Sequence, residues 1–299
     1  MPAETEAIAS VLRVPSRSIT ERFVDWAVNS EGPSTSSALI RIGIALLFWG
    51  RWAGEVLLYK NAGIAGLLLS LNFFAVTLML FVGYHSRIAA AWSGVVGLMM
   101  FYYFGHELGR EPWTHHHTYL LSVSALFIAL TPCGRSYSLD RYLAVRRAER
   151  LGTAPPAEYG NLWGLRLIAI QLSILYFFSA LDKTNVAFLS GARLEHLYLW
   201  FYSGSDYPTW PGFGLLAMLA AIAVVVIEYG LAFGLPFRAT RRYLVVPGLA
   251  FHGLLYVSLP VFTFSATMAL LYLAYFDAEA IDRVVARLHG AGSSGRNSA

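Results

Sequence analysis

Apolar positions in this chain fall in long unbroken runs, without the regular polar interruptions that mark a half-buried element of a soluble domain. Runs near the ~20 residues that a bilayer-crossing helix needs are read at about 38–59, 62–83, 89–104, 118–131, 163–181, 213–235, 243–259 and 262–276. The pattern predicts an all-α fold, a polytopic membrane helix bundle of about eight transmembrane helices. The fourth run is the shortest. Three stretches break the pattern in informative ways. Ile19, Phe23, Trp26 and Ala27 recur at helical spacing with Glu21, Arg22 and Asp25 between them, which predicts a short helix lying in the membrane interface. No continuous apolar core or small-residue cleavage site marks it as a signal peptide. EGPSTSS over 31–37 is read as a turn into the first span, and TAPPAE over 153–158 as a linker. TPCGRSYSLDRYLAVRRAER over 131–150 is read as a turn followed by a basic amphipathic helix on the cytoplasmic face that anchors to anionic lipid. This divides the chain into an N-terminal segment (1–37), a transmembrane domain (38–276) and a short tail (277–299).

Charge orients the bundle. Of the 22 basic residues, fifteen arginines fall on one side of the alternating spans, beginning with Arg13, Arg17 and Arg22 and ending with Arg283, Arg287 and Arg296. Only Lys60, Arg110, Lys183 and Arg193 fall on the other side, while Arg41, Arg51 and Arg166 lie within spans. The excess of positive charge makes both termini cytoplasmic and the protein an integral, multi-pass one. Dispersed loop arginines and a net charge of only +4 exclude a nucleic-acid partner and leave membrane lipid as the expected surroundings. The single cysteine, Cys133, excludes an intrachain disulfide and dithiol redox chemistry.

The candidate chemistry centres on 174–191, ILYFFSALDKTNVAFLSG, where an apolar helix ends on one of only two lysines, Lys183, at the non-cytoplasmic end of the fifth span. Burial disfavours a charged amine, so a lysine at such a place can serve as a base; a snorkelling anchor is the alternative. Arg51 and Glu55, four apart on the first span, read as a structural ion pair. Gln171, Glu228 and His252 face the bundle interior, either for packing or to line a cavity. His115, His116 and His117 are consecutive, so on a helix they point about 100° apart and do not form a metal ligand set. His117, followed by Thr118 and Tyr119 at the mouth of the fourth span, stands either as an interface residue or as a partner flanking a lipid-soluble substrate. Residues 191–211 carry Leu194, Leu197, Tyr198, Leu199, Trp200, Phe201 and Tyr202; they form an aromatic cap over the outer mouth or an aromatic belt, and His196 within them is a further candidate for the site.

These residues resemble the HTTM (horizontally transferred transmembrane) domain, which is similar to the membrane domain of vitamin K-dependent gamma-glutamyl carboxylase. The resemblance is carried by Ile40-Arg41-Ile42-Gly43, Gly83-Tyr84-His85-Ser86-Arg87, His117-Thr118-Tyr119-Leu120, Ser138-Leu139-Asp140 and the stretch from Tyr176 to Gly191. It implies Lys183 as the base that deprotonates a reduced quinone of the vitamin K or menaquinol type, and His117 as its partner. His117, Tyr119, Tyr176 and His196 are then the cofactor-binding residues, and O2 and CO2 the co-substrates of an epoxidase-like or carboxylating lyase reaction. Asp182 stands where the carboxylase has the first of two lysines, and an adjacent carboxylate favours a charged Lys183. The large soluble region that engages peptide in the carboxylase has no counterpart in these residues, so no protein or peptide substrate is implied. A fold retained for binding, maturation or transport without catalysis is the other class of function.

Overall fold

A computed structural model describes residues 18–59, 63–110, 113–201, 212–259 and 262–294. Arg13, Arg17, Lys60, Tyr202 and Arg296 therefore lie outside the described residues, as do residues 203–211. Each of the eight apolar runs contains a helix: α2 (Thr35–Tyr59), α3 (Gly63–Val82), α4 (Ser86–Met100, continued by a π-helical segment, Phe101–Glu107), α5 (His116–Ile128), α7 (Trp163–Lys183), α10 (Phe213–Gly234), α11 (Arg238–Ser258) and α12 (Phe262–Leu271, continued by a 3-10 turn, Tyr272–Tyr275). Four of these segments, Gly63–Val82, Ser86–Glu107, Trp163–Lys183 and Phe213–Gly234, are long and apolar enough to cross a membrane. The helices α2 and α11 are of similar length but carry arginines, whereas α5 and α12 are short. The protein is a predominantly helical membrane bundle.

Helices outside the bundle follow local chemistry. In α1 (Ile19–Val28) Ser18 and Glu21 close a reciprocal capping box, and Trp26 packs under the Arg166 guanidinium at 4.7 Å. The basic helix α6 (Leu139–Leu151) begins on the Ser138 cap, and α13 (Ala278–Ser294) follows the last span. EGPSTSS corrects the reading as a simple turn. Its first residues form β1 (Glu31–Pro33), which pairs antiparallel with β2 (Tyr159–Asn161), Gly32 opposite Gly160. Ser34, Ser36 and Ser37 are buried, with Ser34 Oγ 2.6 Å from Ser136 Oγ and its N–H donating to the Glu158 carbonyl. The partner strand directly follows the 153–158 linker, a non-local pairing that local periodicity does not encode.

Three of the quoted motifs meet at one end of the bundle. Arg41 is fully buried near the start of α2, and its guanidinium donates to the carbonyls of Leu80 (2.5 Å), Phe81 (3.0 Å), Cys133 (3.1 Å) and Tyr137 (2.6 Å). Two of those acceptors belong to the last turn of α3, where carbonyls have no intrahelical donor and the helix dipole is negative. Gly83 follows with φ +71°, and a Cβ there would lie 2.4 Å from Ser138 Cβ and 2.6 Å from Arg41 Nη1. Asp140 then accepts from the backbone N–H of His85 (2.8 Å) and Ser86 (2.7 Å) and from the Ser86 hydroxyl (2.7 Å), closing the start of α4. Arg241 repeats the device for α10, donating to Leu235 (3.0 Å) and Pro236 (3.2 Å), and to Tyr275. Thr35 donates to Asp282 of α13 at 2.6 Å and so ties α2 to the last helix at this end.

Candidate functional site

Ser179 and Lys183 lie four residues apart on α7 and therefore share one face. Opposite them on α10 stands Glu228, the only charged residue in 213–235. Lys183 Nζ donates to both carboxylate oxygens of Glu228 at 2.9 Å, to the Ser179 hydroxyl at 2.5 Å and to the Ser179 carbonyl at 3.2 Å; the Ser179 hydroxyl in turn donates to Glu228 at 3.0 Å. The side chains of Lys183 and Glu228 are 25% and 7% exposed, so the pair is held mostly out of solvent.

Glu228 is six residues from the end of α10 at Gly234, about 9 Å at 1.5 Å per residue, so the ammonium lies alongside the interior of that helix. Beyond Lys183 the chain does not leave the bundle. The short turn α8 (Val186–Leu189) sets Phe188 against Ala221 and Val225, and α9 (Ala192–Phe201) packs along the first half of α10. Gly191 makes this roof possible: it has φ +84°, and a Cβ there would meet the Met218 backbone nitrogen at 2.4 Å. Lys183 thus ends its helix just before the chain folds back onto α10.

Tyr176, seven residues before Lys183, is buried in a second polar group. Its hydroxyl is 2.6 Å from His252 Nε2 and 2.7 Å from the Tyr272 hydroxyl, and Tyr275 extends the group to Ser173 (2.9 Å) and to the Ala169 carbonyl (2.9 Å). His252 Nδ1 is buried there without a hydrogen-bond partner among the described residues. His117 belongs to a third group. Arg51 Nε donates to His117 Nε2 at 3.1 Å while Arg51 also pairs with Glu55, and the His115 ring stacks on His117 at 5.5 Å.

The structure therefore places the sequence-derived candidates in different environments. Lys183 and Tyr176 share α7, whereas His117 sits in the Arg51 group. Tyr119 is 48% exposed, with its ring 6.2 Å from Phe101, and His196 is exposed on α9. Asp182 is exposed, and the carboxylate on Lys183 is that of Glu228. Neither Ser179 nor Glu228 was assigned to Lys183 by sequence reasoning. A signal existed: a lone carboxylate in an apolar run requires a countercharge, and Lys183 ends the neighbouring span. No group of three or more His, Cys, Asp or Glu residues able to hold an ion occurs among the described residues.

A family model for the HTTM domain matches residues 58–279. The chain belongs to the HTTM domain family. The matched range contains Ser179, Lys183, Glu228, Tyr176 and His117, while Arg41, Arg51 and Glu55 precede it. No curated protein and no solved structure matches the chain.

Proposed function

We propose that this HTTM domain is the membrane-embedded part of a quinol-dependent enzyme in which Lys183 is the general base. It crosses the bilayer about eight times with both termini cytoplasmic, and its reactive lysine belongs to the non-cytoplasmic half. One observation carries the reading: within an apolar bundle, Lys183 Nζ is held by a buried carboxylate at 2.9 Å, so an acceptor for its proton is already in place. Transfer of that proton to Glu228 leaves an amine able to take a hydroxyl proton from a lipid-soluble ligand, with Ser179 orienting both groups. The unpartnered Nδ1 of His252, whose Nε2 meets the Tyr176 hydroxyl, fits a ligand that brings polar atoms into an otherwise apolar interior. A bound reduced quinone, of the vitamin K or menaquinol type, would supply the reaction with O2 and, with CO2, a carboxylation. His117, Tyr119 and His196 complete the proposed set as residues on the substrate's approach.

A second reading is favoured by the same pair. The ammonium is satisfied by Glu228 and Ser179, as in an ion pair that joins α7 to α10 in a binding, maturation or transport protein without catalysis. Lys183→Arg separates the two. Arginine can pair with Glu228 but does not release its proton in a protein, so under the enzymatic reading the variant inserts and folds yet turns over no quinol. The assay is mass spectrometry of the lipid extract after incubation with a quinol and O2, looking for the epoxide. Wild-type turnover in Lys183→Arg would end the assignment of the base.

A further inference from the structure

The end of the bundle closed by Arg41 also carries a cleft of about 510 Å³, and Lys183 and His117 are not among its lining residues. Its back wall is the knot described above: Ser86, Gly134 and Asp140 line it, and the chain enters that knot through the two non-glycine residues of positive φ among those described, His85 (+45°) and Tyr137 (+48°). Arg87, Arg135 and Arg141 line its sides, and Leu130, Pro132, Ala144 and Pro156 supply an apolar portion.

The three arginines are not equivalent. Arg141 is spent on Glu158 at 3.0 Å and on the Pro156 carbonyl. Arg87 is fixed by one bond, from Nε to the Ala129 carbonyl at 2.8 Å, and Arg135 by one from Nη1 to the Tyr159 carbonyl on β2. Among the described residues neither makes an ion pair, so each keeps donors for a ligand. The lone carboxylate of the lining, Asp140, has both oxygens engaged by the His85 and Ser86 N–H groups and the Ser86 hydroxyl. Two exposed guanidinia, each anchored by one bond to a backbone carbonyl beside an apolar portion, suit a phosphate oxyanion that carries an aliphatic or ester substituent.

We infer that this cleft binds a phosphate group, through Arg87 and Arg135. The same chemistry is offered by an anionic phospholipid headgroup and by a soluble phosphate ester, and the test distinguishes them. The full chain is reconstituted in phosphatidylcholine nanodiscs, and its thermal unfolding midpoint is followed. One arm raises the fraction of phosphatidylglycerol; the other adds glycerol phosphate or inorganic phosphate. Saturable stabilisation is expected. Arg87→Gln and Arg135→Gln each weaken its midpoint concentration by about tenfold, the size expected for losing a charge-assisted hydrogen bond. Arg147→Gln removes the same charge from α6 outside the cleft and leaves the midpoint unchanged. A response confined to phosphatidylglycerol assigns the site to lipid, and a response in both arms assigns it to the phosphate group itself. No saturable response of the wild-type protein in either arm overturns the inference, and so does an equal loss in Arg147→Gln, which would reduce the effect to general surface charge.

Discussion

Arg41 and Lys183 are both cations inside the bundle, and their surroundings differ in kind. Arg41 spends its donors on four backbone carbonyls, none of which can change protonation state. Lys183 faces a side-chain carboxylate, and the two groups can exchange a proton. The first arrangement holds helix ends together whatever the conditions; the second offers chemistry, and it can be rearranged by anything that competes for either partner. Three of the stretches that carried the resemblance meet at the first: Gly83, His85, Ser86, Ser138 and Asp140 all close the Arg41 knot, so their role in this structure is architectural.

Arg41→Met is the strongest way to break the comparison. It leaves buried carbonyls without donors, and the expected cost is about 3 kcal/mol or more, read as a lower thermal midpoint in detergent and a lower yield of folded protein. Arg41→Lys should recover little, because a point charge cannot reach the separate acceptors that a planar fork reaches. A wild-type midpoint in Arg41→Met would remove the structural role assigned to the knot.

Glu228→Gln strikes the other cation and is expected to cost about 2 kcal/mol, since it strands Lys183 in a largely buried position. The paired change Lys183→Met with Glu228→Leu should regain most of that stability, and under the proposed enzymatic reading it turns over no quinol. If the double variant is no more stable than either single one, the pair is not a unit. Gly83→Ala should cost about 1–2 kcal/mol through its positive φ and the approach of Ser138, again by thermal midpoint. Asp140→Asn, which weakens the closure at the start of α4 without removing it, should cost about 1 kcal/mol. Tyr119→Phe lies at the bottom of the scale: with 48% of the residue exposed, a stability change beyond about 0.5 kcal/mol would show that its hydroxyl makes a stabilising contact.

The bundle was legible because apolar runs of membrane length leave few alternatives, and helix appears at every one of them. The β1–β2 pair was not, because its stabilising contacts join residues more than a hundred positions apart and neither strand alternates enough to declare itself. At the candidate site, Lys183 stood out by its rarity, and Glu228 and His252 by their polarity within apolar runs. Their partners did not. Ser179 reads as a small residue of an ordinary span, and only the packing of α7 against α10 brings Glu228 within 2.9 Å of Lys183. Similarly, the Arg51–Glu55 pair followed from spacing on one helix, whereas its extension to His117 depends on how α2 meets α5.

Cys133 gives its carbonyl to Arg41, and its side chain is fully buried; burial also pushes its thiol up to about 11, leaving little thiolate at neutral pH. The native chain is therefore close to a silent background for thiol labelling. A cysteine placed near Arg110 or Arg147 can report its own side of the membrane to an impermeant maleimide in intact cells, without first stripping the protein of a residue buried against Arg41. Reaction near Arg110 and none near Arg147 would match the arginine-based topology, and the reverse would invert it.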